Sequence, residues 1–311
     1  MQLIRCLHNL RIDHHDCVAT IGNFDGVHLG HQAVFEKLLE EGRELQIPAT
    51  VITFEPQPLE YFAPDKAPAR LTRLREKLQA IEATGIEQVL LLEFGRRLAA
   101  MSAEEFVQHI LVDGLGVKHL YVGDDFRFGK GRSGNVDLLR KMGAEAGFTV
   151  DFLPTVALDG ERISSTRIRN ALAEGDMETA NACLGRNYRI CGRISHGDKR
   201  GRTIGFPTAN VDLHRKVSPL QGVFAVQVFG VDGEDALPGV ANIGTRPTVE
   251  GDTRYLLEVH LFDFAREIYG AHVEVEFVER IREEKKFDSF EQLRRQIEHD
   301  AYEARHILGL A

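Results

Sequence analysis

Apolar positions along the N-terminal half of the chain alternate between two rhythms. CVATIG (17–22) is a short apolar run, HLGHQAVFEKLLEEGREL (28–45) repeats its apolar residues at helical spacing, and ATVITF (49–54) is apolar and β-branched again. That is the pattern of one βαβ unit. Further runs at QVLLLEF (88–94), HLYVGDDF (119–126) and FTVDFLP (148–154) are separated by helix-like stretches such as RLREKLQAIEATG and SAEEFVQHILVDGLG. The alternation predicts an α/β domain with a mainly parallel sheet and helices on both faces. In such sheets ligands bind beyond the carboxyl ends of the strands. The least generic segments stand there: GNFDGVHLGH after the first run, FEPQP after the second and GDDFRFGKGRSG after the fourth.

The rhythm changes after the helical residues 177–184. NYRICGRISHGDKRGRTIGFPTANVDL opens a region rich in glycine and short extended runs, and GVFAVQVFGVDGE, ALPGVANIGTRP, YLLEVHLFDF and HVEVEFVERI read as strands joined by Gly, Pro or Asp turns. A small antiparallel β-barrel fits this region. In the closing segment DSFEQLRRQIEHDAYEARHIL, Ser289 and Gln292 suit a capping box, and Phe290, Leu293, Ile297 and Ala301 trace one apolar stripe. The expectation is a terminal helix leaning on the barrel. The boundary falls between Leu184 and Asn187, giving domains 1–185 and 186–311.

Bulk properties narrow the functional classes. A length of 311 residues favours two cores over one, and 43% hydrophobic with 27% charged residues is the composition of a folded chain. The net charge of -9 argues against nucleic acid as a partner, so an anionic ligand must be met by local basic groups. No stretch approaches about 18 consecutive apolar residues, and the start lacks a secretory pattern, so a soluble, cytoplasmic protein without a membrane partner is expected. Cys6, Cys17, Cys183 and Cys191 form no CxxC pair and are expected to be reduced. Nothing in the sequence reports the oligomeric state.

His28 and His31 stand where a strand turns into a helix, and their three-residue spacing puts both rings on one side of the first turn. Free backbone N–H groups and the helix dipole favour an anion there. Gly22, Gly26 and Gly30 allow close approach of backbone and ligand, and Asn23, Phe24 and Asp25 complete the turn. A surface pair, local caps or two ligands of a metal are the other readings of two histidines so placed. The whole string favours a phosphate site.

GNFDGVHLGH resembles the HxGH signature of the nucleotidyltransferase superfamily, and GNFDGVHLGHQ resembles the adenylyltransferase half of bacterial bifunctional riboflavin kinase/FAD synthetases. The resemblance implies a Rossmann-like nucleotidyltransferase domain in which His28 and His31, with Gly22, Asn23, Phe24 and Asp25, bind ATP. FEPQP resembles the family's FEPHP turn, which puts Pro56 and Pro58 on the flavin side; Gln57 replaces the usual histidine. GDDFRFGKGRSG resembles the loop that approaches the flavin, with Asp125 and Arg127 among its polar members. ISSTRIR resembles the second phosphate motif, implying that Ser164, Ser165, Thr166 and Arg167 bind ATP, although serines at a helix start also serve as ordinary N-caps.

In the C-terminal half, GRTIGFPTAN (201–210) resembles the riboflavin kinase signature. Gly205 and Pro207 shape a tight loop. Thr208 and Asn210 offer hard oxygen donors of the kind that suit Mg²⁺ holding ATP phosphates, with Thr208 the metal ligand. On the strand YLLEVHLFDF, Glu258, His260 and Phe262 share one face. A glutamate on a wet strand face is common, and the resemblance marks Glu258 as the catalytic base. Phe224, and Arg280 in VERIREEKKF, resemble residues bordering the flavin; Asn242 and Arg246 lie in similar loops. The substrates implied are riboflavin, FMN, FAD and ATP. A transferase for another phosphate-bearing substrate is disfavoured by GRTIGFPTAN, and a flavin-binding module without turnover by the base beside the Mg²⁺ loop.

Overall fold

The computed structural model describes residues 1–311 apart from 153–154, 196–205, 214, 216, 234, 248–252 and 311, with side chains left undescribed at 232, 246, 247, 253 and 254. Two compact units are resolved: Met1–Pro68 with Arg73–Ile163, and Ala69–Thr72 with Ser164–Ala311.

The first unit is a six-stranded parallel sheet. Its strands are β1 (Gln2–Arg5), β2 (Val18–Ile21), β3 (Ala49–Glu55), β4 (Gln88–Glu93), β5 (His119–Val122) and β6 (Thr149–Phe152), in the order β1-β4-β3-β2-β5-β6; β7 (Ala157–Leu158) and β8 (Glu161–Arg162) pair separately as a short antiparallel hairpin. The edge strand β1 has only one fully buried residue among four, so its apolar run is too short to stand out in the sequence. Helices α1 (Leu29–Leu45), α2 (Pro58–Phe62), α3 (Leu74–Glu82), α4 (Arg96–Ala100), α5 (Ala103–Phe106) and α6 (Val136–Ala146) connect the strands, and α5 continues as π-helical turns over Val107–Val112.

Successive strand residues feed opposite cores, as the pleat requires. Val18, Val51 and Val89 pack with Phe35 and Leu38 of α1, whereas Ala19, Ile52 and Leu90 pack with Phe106, Ile110 and Leu139. Both faces are thus covered, which explains why these strands read as nearly continuous apolar runs. Burial also pushes the Cys17 thiol up to about 12, so it stays protonated and inert.

Chain order reverses beside β2, whose neighbours are β3 on one side and β5 on the other. The crevice beyond the carboxyl end of β2 is therefore the topological switch point, where parallel sheets of this kind bind ligands.

The second unit contains α7 (Ser165–Glu174), α8 (Met177–Leu184), and a closed antiparallel barrel of β9 (Arg189–Ser195), β10 (Ala209–Asp212), β11 (Gly222–Asp232), β12 (Asp235–Pro247), β13 (Thr253–Leu261) and β14 (His272–Arg282), followed by α9 (Phe290–Ile307). Around the barrel the order is β10-β13-β12-β11-β14-β9. By contact, α7 and α8 group with the barrel. The Tyr188 hydroxyl donates to the Leu71 carbonyl at 2.9 Å and Arg215 to that of Arg70 at 2.7 Å, which ties residues 69–72 into the same unit.

The barrel interior is filled by alternate strand residues, including Phe224, Val226, Leu257, Val259 and Phe277, all at most 2% exposed. No ligand can share that space. Val223, Ala225 and Val240 of the outer wall instead meet Ala301 and Ala304 of α9. The Ser289 hydroxyl caps the helix, accepting from the Gln292 N–H at 3.2 Å, but the capping box is not closed, because the Gln292 side chain accepts from the Asp288 N–H at 3.3 Å instead of from Ser289. Of the expected stripe only Ala301 is buried against the wall, Leu293 and Ile297 are half-buried, and Phe290 is 60% exposed.

Candidate functional site

The turn after β2 holds an unusual backbone. Phe24, Gly26 and Val27 all have positive φ, at 47°, 87° and 44°. A left-handed conformation is strained for a β-branched residue and costs on the order of 1–3 kcal/mol. Val27 is held there because its side chain is completely buried and its carbonyl accepts from Gln32 Nε2 at 2.9 Å. The bend delivers His28 as the N-cap of α1, its Nδ1 accepting from the His31 N–H at 3.3 Å. The two imidazoles stack with centroids 3.6 Å apart and planes 18° apart, and the Phe24 ring meets His31 edge-on at 5.2 Å.

Glycine is needed beside this pair. A Cβ on Gly30 would sit 3.1 Å from His28 Cε1 and Nδ1, and one on Gly22 would sit 2.9 Å from the Phe24 ring. Asn23 is exposed and its carbonyl accepts from the Thr53 hydroxyl at 3.4 Å; Asp25 is buried at 2% exposure. The structure therefore gathers Gly22, Asn23, Phe24, Asp25, His28 and His31 into one turn at the switch point.

FEPQP leaves β3 from the same edge of the sheet. Pro56 follows a cis peptide, Gln57 caps α2 with its N–H donating to Glu60 at 2.8 Å, and Pro58 takes the first helical position. Beside it lies an aromatic group absent from the sequence reading: the rings of Tyr61 and Phe62 pack on Phe94 at 5.8 and 5.5 Å while staying 40% and 61% exposed. Apolar spacing alone gave no warning, because the rings come from two segments far apart in the chain, α2 and the residue after β4. After β5, Asp125 and Arg127 are exposed on a loop anchored by buried Phe128, whose backbone pairs with Gly134.

In the second unit, Ser164 is the N-cap of α7, its hydroxyl accepting from the Arg167 N–H at 3.1 Å; Ser165 and Thr166 occupy the first turn, with Thr166 exposed.

The barrel's outer wall carries the other site. Asn210 of β10 and Asn242 of β12 both stand in register with Glu258 of β13, so the carboxylate is flanked by an amide on each neighbouring strand. All three, with Thr208 and His260, line a cavity of about 530 Å³ whose far side is Phe287 and the α9 residues Phe290, Leu293 and Ile297. The first three residues of the apolar stripe thus face a cavity instead of packing on the barrel. A second cavity of about 490 Å³ shares Thr208 and Asn210 and is otherwise walled by residues such as Ile194, Phe264, Ile268 and Tyr269. Gly205 lies outside the described residues, as does the rest of 201–205.

Two residues that the sequence places beside the flavin, Phe224 and Arg280, stand apart from this cavity. Phe224 is fully buried inside the barrel, edge-on to Phe277 at 5.2 Å, and does not line the cavity. Arg280 lies at the end of α7, donating to the Glu174 carbonyl beside the left-handed Gly175 cap, where a cation suits the helix C-terminus. The arginine that lines the cavity is Arg282, which forms a two-pronged ion pair with Asp300 of α9 at 2.6–3.1 Å; Asp300 is 3% exposed and also accepts from Gln296 at 2.9 Å. Bulges in the β11–β14 pairing separate these arginines, Val223 facing Arg282 while Phe224 faces Arg280.

The FAD synthetase family model matches residues 10–167 and the riboflavin kinase family model residues 184–308. A bifunctional riboflavin kinase/FMN adenylyltransferase of Escherichia coli K12 is 54% identical over 100% of this chain and 99% of its own. A protein of the same name from Pseudomonas fluorescens is 53% identical over 98% of this chain and 97% of its own. A crystal structure described as a macrolide-efflux protein from Streptococcus pneumoniae superposes with a TM-score of 0.82 at 32% identity, over 96% of this chain and 97% of that one. Among the described residues, no helix is long and apolar enough to cross a membrane. With both family models matched in this order along the chain and relatives named for both activities matched over nearly their whole length, the chain belongs to the family of bifunctional riboflavin kinase/FMN adenylyltransferases.

Proposed function

We propose that the chain phosphorylates riboflavin to FMN with ATP, using residues 186–311, and then transfers the adenylyl group of a second ATP to FMN, giving FAD and pyrophosphate, using residues 1–185. The row Asn210–Glu258–Asn242 on the barrel wall carries this reading.

The terminal ribityl hydroxyl of riboflavin is neutral and needs a base. Glu258 takes its proton as the oxygen bonds to the γ-phosphorus of ATP and the bond to the β–γ bridging oxygen breaks, releasing ADP. The larger cavity, with Glu258 on one wall and Phe287, Phe290, Leu293 and Ile297 on another, suits the ribityl chain and the flat flavin. The smaller cavity suits the nucleotide, because Thr208 and Asn210 sit where the two meet and the transferred phosphate must pass there. Neutral side-chain oxygens of Thr208 and Asn210 beside a carboxylate are a donor set that fits Mg²⁺. Bound there, Mg²⁺ would neutralise phosphate charge.

The FMN phosphate needs no base, being ionised already. Its oxygen attacks the α-phosphorus as the bond to the departing pyrophosphate breaks, and catalysis reduces to positioning and charge neutralisation by His28 and His31, with Gly22, Asn23, Phe24 and Asp25 shaping the turn. Ser164, Ser165, Thr166 and Arg167 are assigned to phosphate binding at a helix start. Pro56, Pro58, Asp125 and Arg127 are assigned to the flavin, supported by the exposed rings of Tyr61 and Phe62 beside the proline turn. A cytoplasmic location follows from ATP as co-substrate. Incubation with riboflavin, ATP and Mg²⁺ should yield FMN and then FAD by chromatography; formation of neither would refute the assignment.

A further inference from the structure

His260 shares the outer face of β13 with Glu258, two residues away, and the family resemblance gives it no role. Its Nδ1 lies 2.9 Å from the Pro207 carbonyl oxygen. A carbonyl can only accept, so Nδ1 carries the proton and donates. The ring is wedged between Phe206 and Phe262, at 5.1 and 5.8 Å and steeply inclined to both. Phe262 in turn lies under the Arg305 guanidinium at 4.4 Å, and Arg305 holds Asp263 through two bonds of 3.0 Å. Burial also favours the neutral ring, drawing the imidazole below its ordinary range.

We infer that His260 is a positioning residue for the kinase step: its hydrogen bond to Pro207 fixes the backbone immediately before Thr208 and so holds the Thr208 and Asn210 oxygens ready for a Mg²⁺–nucleotide. The inference rests on the assignment of Thr208 and Asn210 to that ligand. Pro207 has no N–H and a fixed φ, so its carbonyl is the handle by which a neighbouring side chain can orient this short extended segment. The ring's aromatic neighbours and the Arg305–Asp263 pair leave the imidazole little freedom to turn away.

The test uses the full chain, with FAD formation from supplied FMN as an internal control for folding. In His260→Ala, the Mg²⁺ concentration for half-maximal FMN formation and the ATP KM should rise roughly three- to tenfold, the worth of one hydrogen bond, and by more than the riboflavin KM, which changes only through the ring's share of the cavity lining. Calorimetric titration of ADP should show the Mg²⁺-dependent gain in affinity reduced by the same factor. His260→Asn, whose amide N–H stands where Nδ1–H stood, should restore both; His260→Gln, whose donor sits one bond further out, should not. An equal rise in riboflavin KM, or no difference between Asn and Ala, would overturn the positioning role. If Thr208→Ala leaves Mg²⁺–ADP binding untouched, the ligand assignment fails, and the role of His260 with it. If Thr208→Ala weakens binding and His260→Ala does not, only the present inference fails.

Discussion

The imidazoles of His28 and His31 lie face to face, 3.6 Å between centroids, with His28 capping the helix that begins beside it. That arrangement makes the pair one unit, so replacing either ring by alanine should remove most of the charge neutralisation in adenylyl transfer. A loss of about 10²–10³-fold in FAD formation is expected. FMN formation should be unaffected, measured in one reaction by chromatography.

Gly30→Ala is a finer probe of the same pair. The added methyl would press on the His28 ring from 3.1 Å while keeping good helix propensity. FAD formation should fall about tenfold, a change of roughly 1.4 kcal/mol in barrier, with the melting temperature almost unchanged. A wild-type rate would show that the ring's exact seat is unimportant.

Glu258→Gln keeps the shape of the carboxylate and its place between Asn210 and Asn242 but removes the proton acceptor. FMN formation should drop by about 10²–10⁴-fold, with FAD still made from added FMN. Similar riboflavin binding by calorimetry in both proteins would assign the loss to chemistry.

Asp300→Ala should strip the half-buried Arg282 guanidinium of its buried partner. Stranding a fully buried charge would cost about 3–5 kcal/mol, and partial solvent access to Arg282 lowers that, so the unfolding midpoint in urea should fall by a smaller but measurable amount. Because Arg282 lines the cavity, riboflavin KM should rise as well.

Asp176 caps α8, and its hydrogen bonds to Thr179, first through the side chain and then through the backbone N–H, hold its carboxyl below the usual carboxylate range. The unfolded chain then binds this proton more readily than the native one. Stability from the cap is complete above the ordinary carboxylate pKa and is lost as pH falls through the lowered native value. Asp176→Asn should make the acid limb of the stability profile shallower, as measured by denaturation at pH 3 to 7.

Much of this was legible in the chain because the strands of the first unit are buried on both faces and bracketed by glycine turns, so GNFDGVHLGH and FEPQP fell naturally at strand ends. The barrel was legible as short strands, but which residues face its cavity was not. Phe224 sits beside outward-facing Val223 in an unbroken apolar run, and bulges between β11 and β14 shift the alternation between Arg280 and Arg282. Period-two reasoning fails across a bulge. The stripe on α9 was visible, yet spacing cannot tell a residue that packs on a barrel wall from one that roofs a cavity beside it.

The interior of the barrel is solid, and the cavity proposed for the kinase substrate lies against its outer wall under one half of a single helix. Phe290, Leu293 and Ile297 can therefore be exchanged without disturbing the packed strands behind Glu258. Redesign toward flavin analogues, or an inhibitor aimed at FMN formation alone, has three neighbouring side chains as its natural handle.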